Sequence, residues 1–536
     1  MAMINYPFSQ QALGQILEDK AKTRGNQAFL QFKEGPEVTF AMVNETTNRI
    51  ANGLLKLGLK KGDKIATLLP NCLECIYLWF GAAKAGIIEV PVNLANKGDF
   101  LAHIINNSDS KVIIISHDLI DRVKFIENSL PKIEKVVIWG KDSLREDLPK
   151  LKFEVLNYDD LLTSSSEKPQ VDIKASDPQI ILYTSGTTGP AKGVIEHHAG
   201  LYIGASNSLR AIRAKPNDVF FTCLPLFHGN ARINCVYPAL VLGAKVVIYE
   251  RFSASQFWDW IRKSKATTFN VLGAMASFIY NQPRKEDDGK SGVRVCIAAP
   301  MPKEIHQDFE KRFNLRVLEG YGLSELGNLT VTPFDAPRLG SCGKSARYYD
   351  VKIVDENDFP VPAGTVGEIV ARGKIPWVMS LGYYNIPEKT VELTRNHYYH
   401  TGDAGYLDND GYLYFVDRIK DYIRRRGENI SSFEVERTVN SHPKVSESAA
   451  IGIKSELSED EVKISVVLKE GEKLTPEELL DFCQERMPYF AIPRYVEFVK
   501  SLPKTPTDRV RKNLLRENGI TDATWDREKA GYKVKR

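Results

Sequence analysis

Through the first 415 or so residues, short runs of β-branched residues alternate with segments whose apolar residues recur every three or four positions, and this alternation limits the fold more than any other feature. Runs at 111–115, 180–183, 245–249 and 267–271 read as strands, and segments 11–22, 40–57, 254–263 and 303–313 read as amphipathic helices. Strands joined by helical crossovers pair in parallel and are covered by those helices. The expected class is α/β, a large N-terminal domain of layered mixed sheets, largely parallel, with covering helices. After Asp417 the pattern changes to a basic run at 424–426, a helix at 434–440, strands at 448–453 and 463–468, and a helix at 476–486. That predicts a small α+β domain, and the division is placed at 1–418 and 419–536, although no Pro/Gly linker marks it. A short polar linker is read at 164–168.

A chain of 536 residues exceeds what one hydrophobic core serves, which agrees with two domains. The balance of 72 basic against 68 acidic residues leaves a net charge of only +4, too small and too evenly spread for a nucleic-acid footprint. The start, MAMINYPFSQQ, lacks the pattern of a secretory signal. The most apolar stretches, 81–92 and 240–249, are interrupted by lysine and shorter than the ~20 residues that cross a bilayer. No transmembrane segment and a cytoplasmic location are therefore expected. Seven cysteines without framework spacing suit reduced thiols. The lone pair Cys72 and Cys75 lies in PNCLECIYLWF, an apolar run that reads as a core helix and not as a redox or metal site.

The sharpest local feature is YTSGTTGPAKGV at 183–194. A buried strand runs straight into Thr184, Ser185, Gly186, Thr187, Thr188 and Gly189, with Lys192 three residues on. Glycines let the backbone turn and present N–H groups to an anion, hydroxyls add donors, and the lysine adds charge. The order differs from GxxxxGK[ST], so the mechanism of P-loop ATPases is not implied. A plain loop of small polar residues is the alternative reading, and the loop alone supports no more than an anion cradle.

This loop resembles the signature of the adenylate-forming superfamily of acyl-CoA synthetases, luciferase-like enzymes and peptide-synthetase adenylation domains. Three further motifs follow in the superfamily's order: EGYGLSE at 319–325, YHTGD at 399–403 and DRIKDYIRRRGENISSFEVE at 417–436. The last run and the WDREKAGY tail are most similar to the branch of crotonobetaine/carnitine–CoA ligase-like acyl-CoA ligases. The resemblance implies an AMP-forming acid–thiol ligase. A small carboxylic acid and ATP give acyl-AMP and pyrophosphate; the thiol of coenzyme A then takes the acyl group and AMP leaves. It also implies Mg²⁺ as cofactor and a small domain that rotates at a hinge, Lys420. A homodimer is compatible with it.

Carried over residue by residue, the resemblance assigns ATP or AMP contacts to the phosphate loop. Further contacts fall on Ala298, Ala299 and Pro300, and on Glu319, Gly320, Tyr321, Gly322 and Ser324. Tyr321 would stack on adenine, Asp403 and Arg418 would hold the ribose, and Glu325 would offer Mg²⁺ a hard oxygen. His228 of PLFH would gate an acyl pocket walled by Phe227, Arg232, Gly273 and Ala274. Gly427 and Glu428 would lie near the thiol's path. Lys192, Ser324, Glu325, His228 and Arg509 make up the implied catalytic set.

Two departures stand out. In LPKTPTDRVRK at 502–512, Asp508 and Arg509 replace the superfamily's usual glycine and catalytic lysine. Arginine still stabilises developing negative charge, but its planar fork changes the geometry, and Lys504, Arg511 or Lys512 are alternative cations. Around the pocket, Asn230, Arg232 and Asn234 are more polar than a fatty-acid tunnel needs, which predicts a short- to medium-chain or polar-substituted acid. Arg232 either pairs with a second carboxylate or another polar substituent there, or turns to solvent. The competing readings are a catalytically weak nucleotide- or acyl-binding protein, and an adenylating enzyme whose acceptor is a carrier protein.

Overall fold

The computed structural model describes the chain except residues 1–4, 141–148, 185–189, 300, 302, 304, 419–421, 426–427, 456–459, 504–509, 511 and 535–536. Two large sheets form the body. A seven-stranded sheet runs from Glu154–Asn157 to Lys192–His197 and is parallel except at its last pair, Pro178–Thr184 with Lys192–His197. A nine-stranded sheet runs from Lys344–Ser345 to Glu37–Thr39. Its strands from Arg316–Leu323 to Ala28–Phe32 are parallel and its edges antiparallel. Ile113, Ile114 and Ile115 are wholly buried, as a continuous β-branched run must be when helices cover both faces of its sheet.

Helices Leu13–Arg24, Phe40–Lys56 and Leu73–Ala85 pack against one another. The second starts where Thr39 accepts a hydrogen bond from Met42 N at 3.3 Å, a side-chain cap of the kind threonine supplies. It carries Asn48 and Asn52, which donate to the carbonyls of Ser166, Ser165 and Glu167 at 2.8–2.9 Å. The polar linker expected there is thus tied to a helix. Cys72 and Cys75 are buried at the start of Leu73–Ala85, and all seven cysteines are free. Burial pushes the Cys75 thiol up to about 12, as an inert core thiol requires. The helices expected at 254–263 and 303–313 begin three residues later, as Phe257–Ser264 and His306–Phe313.

The expectation of largely parallel sheets fails over a third sheet, where Tyr349–Val354, Gly367–Gly373, Tyr398–Leu407 and Leu413–Arg418 pair antiparallel. In Tyr349–Val354 buried and half-buried residues alternate, the signature of a sheet with one wet face. Beyond it lies the smaller lobe. A hairpin, Tyr422–Arg425 with Glu428–Ser431, precedes a four-stranded sheet led by Val445–Lys454 and Asp460–Leu468, with helices Ser432–Asn440 and Pro476–Gln484. The latter opens on a capping box in which Thr475 and Glu478 satisfy each other's backbone N–H groups at 3.2 and 3.0 Å. The core of this lobe gathers Ile464, Val466, Leu480 and Ile492, and it includes Phe100, which comes from helix Gly98–Asn107 of the body. No described helix is long and apolar enough to cross a membrane.

Candidate active site

A cavity of about 710 Å³ opens between body and smaller lobe and is lined by both. Thr184 and Lys192, which flank the expected phosphate loop, line the cavity and stand directly opposite each other where two antiparallel strands pair. Lys192–His197 is the edge of its sheet, and the segment 381–384 extends that edge: Leu381 N donates to Ile195 O, Ile195 N to Gly382 O, and Tyr384 N to Gly193 O, at 2.8–2.9 Å. This covers an otherwise open strand and sets Tyr383 beside Lys192. The Lys192 ammonium lies 5.3 Å from the centre of the Tyr383 ring. The Tyr383 hydroxyl donates to Glu325 Oε1 at 2.6 Å and meets the Tyr399 hydroxyl at 2.9 Å. Burial and the Glu325 charge hold the Tyr383 phenol protonated far above its usual range, which keeps it a donor.

Residues 192, 194 and 196 share one face of the edge strand, so Glu196 points the way Lys192 does. It is buried, and desolvation followed by the nearby Glu325 charge pushes its carboxyl up to about 8. At neutral pH Glu196 is predominantly protonated. Among the described residues no group of three metal-binding side chains forms. Glu325 lines the cavity with a hard carboxylate oxygen donor, the chemistry that takes a magnesium ion shared with phosphates and water.

The side expected to take adenine is built by a tight hairpin, Arg316–Leu323 with Gly327–Val331. A Cβ on Gly322 would stand 2.3 Å from the Gly327 carbonyl oxygen, so the motif's second glycine is required by the close approach of two backbones. Tyr321, Gly320, Ser324 and Ala299 line the cavity, and the Tyr321 hydroxyl donates to Asp403 Oδ2 at 2.7 Å. Asp403 is in turn directly opposite Arg418 in the third sheet. One assignment is modified: Ala298 is wholly buried in its strand, and its neighbours Ile297 and Ala299 line the cavity, as does Glu319. The Glu319 carboxylate accepts from Met301 N at 3.0 Å and lies 3.3 Å from His306 Nδ1, so it pins the segment after Ala299.

On the opposite side Phe227 and His228 line the cavity, and Asn71 fixes their loop by accepting from Leu226 N and donating to Leu224 O, both at 2.8 Å. His228 Nε2 lies 3.4 Å from Glu428 Oε2 of the smaller lobe. Burial opposes the charged imidazole, but the Glu428 carboxylate outweighs it by charge and hydrogen bond, so the His228 pKa is raised. A second contact between the lobes is the hydrogen bond from Ala191 N to Glu434 Oε1, at 2.6 Å. Gly273 and Ala274 open the helix Gly273–Tyr280 next to Leu272, which lines the cavity.

Arg232 is placed neither in the pocket nor in solvent. It is almost wholly buried, with Nη1 at 2.5 Å and Nη2 at 2.9 Å from the Glu89 carboxylate, and it stacks over Trp79 at 4.6 Å. Its Nε donates to the Leu226 carbonyl. Pro238 has no N–H to give the Asn234 carbonyl, and the helix widens into a π-helical turn at Arg232–Val236. Of the basic run, Arg424 lines the cavity, whereas Arg425 is buried against Glu461 at 2.7 Å and donates to the Phe490 and Ile492 carbonyls. Lys512 is engaged by Glu436 at 2.6 Å and Ser432 at 2.7 Å. Ser185, Gly186, Thr187, Thr188, Gly189, Pro300, Lys420, Gly427, Lys504, Arg509 and Arg511 lie outside the described residues.

A family model described as "AMP-binding enzyme" matches residues 17–384, and one described as "AMP-binding enzyme C-terminal domain" matches 434–509. The chain belongs to the AMP-binding enzyme family. Among the relatives of this AMP-binding enzyme is a crotonobetaine/carnitine–CoA ligase of Salmonella heidelberg, 34% identical over 94% of this chain and 99% of its own. A fatty acyl CoA synthetase of Mycobacterium tuberculosis has a similar structure, with TM-score 0.68, 27% identity, and 96% and 99% of the two chains covered. An o-succinylbenzoate CoA synthetase of Bacillus subtilis shares the fold with TM-score 0.81 at 24% identity, covering 94% and 98%. The expected superfamily and two-part α/β architecture are borne out, and the ligase names of these relatives agree with the expected class.

Tyr383 and Glu196 were not anticipated. Glu196 carries a faint signal, a lone carboxylate inside the strand KGVIEH, whereas Tyr383 has none because it acts through an edge pairing that residues 381–384 make far from their own motif. Tyr399 opens the YHTGD motif, and its contact with Tyr383 ties that motif to Glu325.

Proposed function

We propose that this cavity activates a small carboxylic acid as its adenylate and passes the acyl group to coenzyme A. The observation that carries the reading is that one cavity brings together the Thr184–Lys192 end of the phosphate loop, Glu325 and the Tyr321 ring anchored on Asp403. A substrate carboxylate oxygen attacks the α-phosphorus of ATP and pyrophosphate leaves. The thiolate sulfur of coenzyme A then attacks the acyl carbon and AMP leaves. Lys192 offsets charge on the phosphates, Ser324 offers a hydroxyl to the α-phosphate, and Tyr321 and Asp403 hold adenosine. Magnesium, where bound, offsets phosphate charge; Glu325 is its protein ligand, oriented by Tyr383. Arg509 is the second cation and Lys420 the hinge of the smaller lobe, which divides from the body near 418. The thiol enters past Gly427 and Glu428. Seven free cysteines favour a reducing, cytoplasmic setting.

Acid-dependent exchange of pyrophosphate into ATP, followed by detection of the CoA thioester, tests the reading. Both are expected with at least one short- or medium-chain acid. Failure of exchange with every acid would favour a nucleotide-binding protein, and exchange without CoA thioester would favour a carrier-protein acceptor.

A further inference from the structure

The part of the cavity beyond His228 is lined by Asn207, Ser208, Asn230, Asn234 and Asn328. All but Asn207 join in one connected network. Ser208 Oγ donates to Asn234 Oδ1 at 2.6 Å, and Asn328 Nδ2 donates to the same oxygen at 2.8 Å. Asn234 Nδ2 donates to Asn230 Oδ1 at 3.3 Å, and the buried Asn270 reaches that oxygen at 3.0 Å. Four different elements supply these groups: helix His198–Ala211, the widened helix after His228, strand Thr268–Leu272 and strand Gly327–Val331.

The network leaves particular atoms over. Asn230 and Asn234 share one hydrogen bond through Asn230 Oδ1, and among the described residues nothing accepts from Asn230 Nδ2. Asn207 Oδ1 is used by Arg210 at 3.3 Å, and its Nδ2 likewise meets no acceptor among the described residues. Asn328 Oδ1 receives no donor there either. Two neutral donors and one neutral acceptor therefore remain on side chains that line the cavity. Arg232, the cation nearest in sequence, is committed to Glu89. Arg210 does not line the cavity: its guanidinium lies over the Tyr348 ring at 5.8 Å and touches the lining only through Asn207 Oδ1.

We infer that this network selects acids whose tail carries a neutral hydrogen-bonding group, a hydroxyl or an oxo oxygen, over both the plain alkyl acid and the dicarboxylic acid of the same length. The inference rests on the acyl-CoA ligase reading. An alkyl tail displaces water from the amide N–H groups and returns nothing to them, so affinity falls. A second carboxylate would be desolvated without a paired cation. A hydroxyl or oxo group satisfies the open donors, and the hydroxyl also satisfies the acceptor. Sites built this way discriminate strongly because the wrong substrate leaves buried polar groups unpaired.

The test is a kcat/KM series on the full-length wild-type enzyme with butanoate, 4-hydroxybutanoate and succinate, then hexanoate, 6-hydroxyhexanoate, 5-oxohexanoate and adipate. The neutral polar acid is expected to exceed the matched alkyl acid by at least about 10-fold in one of the two lengths. Asn230→Leu should erase most of that preference by raising KM for the polar acid and lowering it for the alkyl acid. Equal or greater kcat/KM for the alkyl or dicarboxylic acids at both lengths overturns the inference while leaving a working ligase. No thioester from any acid removes the ligase reading instead. The wild-type series decides the matter even where the variant fails to fold.

Discussion

His228 Nε2 lies 3.4 Å from Glu428 Oε2, so a side chain expected to gate the acyl pocket touches one expected beside the thiol's path. The pair crosses from body to smaller lobe. It therefore senses both the arrangement of the lobes and the protonation of an imidazole next to the acyl carbon's expected position.

Glu428→Gln should lower the His228 pKa, because burial then acts on the imidazolium without a carboxylate to oppose it. The wild-type pair contributes stability fully below the ordinary histidine value of 6.5 and loses it as pH rises through the raised folded value. Histidine titration by NMR, with wild type and variant compared, checks the direction. An unchanged midpoint would remove the coupling.

Tyr383→Phe takes away the hydroxyl that orients Glu325. Loss of such a supporting hydrogen bond costs about 10–100-fold in activity or metal affinity. The loss should appear in pyrophosphate exchange and in a higher magnesium requirement, while thioester formation from supplied acyl-AMP changes much less.

Glu196→Gln should stabilise the protein at alkaline pH. With its folded pKa raised to about 8, wild-type Glu196 contributes its full share of stability below the unfolded carboxylate range and loses it as pH rises through 8. The variant lacks that dependence. Thermal unfolding should show it ahead of wild type by on the order of a few kcal/mol at pH 9, with the gap closing toward pH 5. A gap independent of pH would contradict the assignment.

Arg232→Met should cost about 3–5 kcal/mol of stability by leaving Glu89 buried without its partner. Adding Glu89→Leu should recover much of that loss, as measured by chemical denaturation. A substrate-contact role predicts a change in acid preference with stability intact, the opposite outcome.

Arg509→Ala should lower acyl-AMP formation much more than thioester formation from supplied acyl-AMP, since the cation acts while charge develops at the α-phosphate. Equal losses in the two half-reactions would reassign Arg509.

The parts of this molecule that were legible in its sequence are those where chemistry and local order coincide. The strand running into YTSGTTGPAKGV and the buried CxxC helix follow from motifs whose residues act close to where they are written, whereas the hydrogen bond from Tyr321 to Asp403 joins two motifs that the sequence reads separately. Arg232 was misread because its partner is Glu89, 143 residues earlier in the apolar run 81–92. A carboxylate in such a run needs a buried cation, but the sequence does not say which one. The antiparallel pairing of the third sheet was missed for a related reason: the segments that join its first three long strands, 355–366 and 374–397, are longer than a hairpin turn. Tyr383 and the asparagine network escaped because each depends on side chains brought in from separate elements.

Phe100 gives the meeting of the two lobes a fixed energetic step. Its ring is counted in the smaller lobe's core though its helix belongs to the body, and a Cβ on nearby Gly98 would stand 3.1 Å from the Arg486 backbone. Any rotation that draws the lobes apart must wet that ring, at a cost of about 2–3 kcal/mol. Position 100 therefore behaves as a detent. A smaller side chain there would let the lobes part more freely, a larger one would hold them shut, and turnover could be tuned at a residue remote from the reacting atoms.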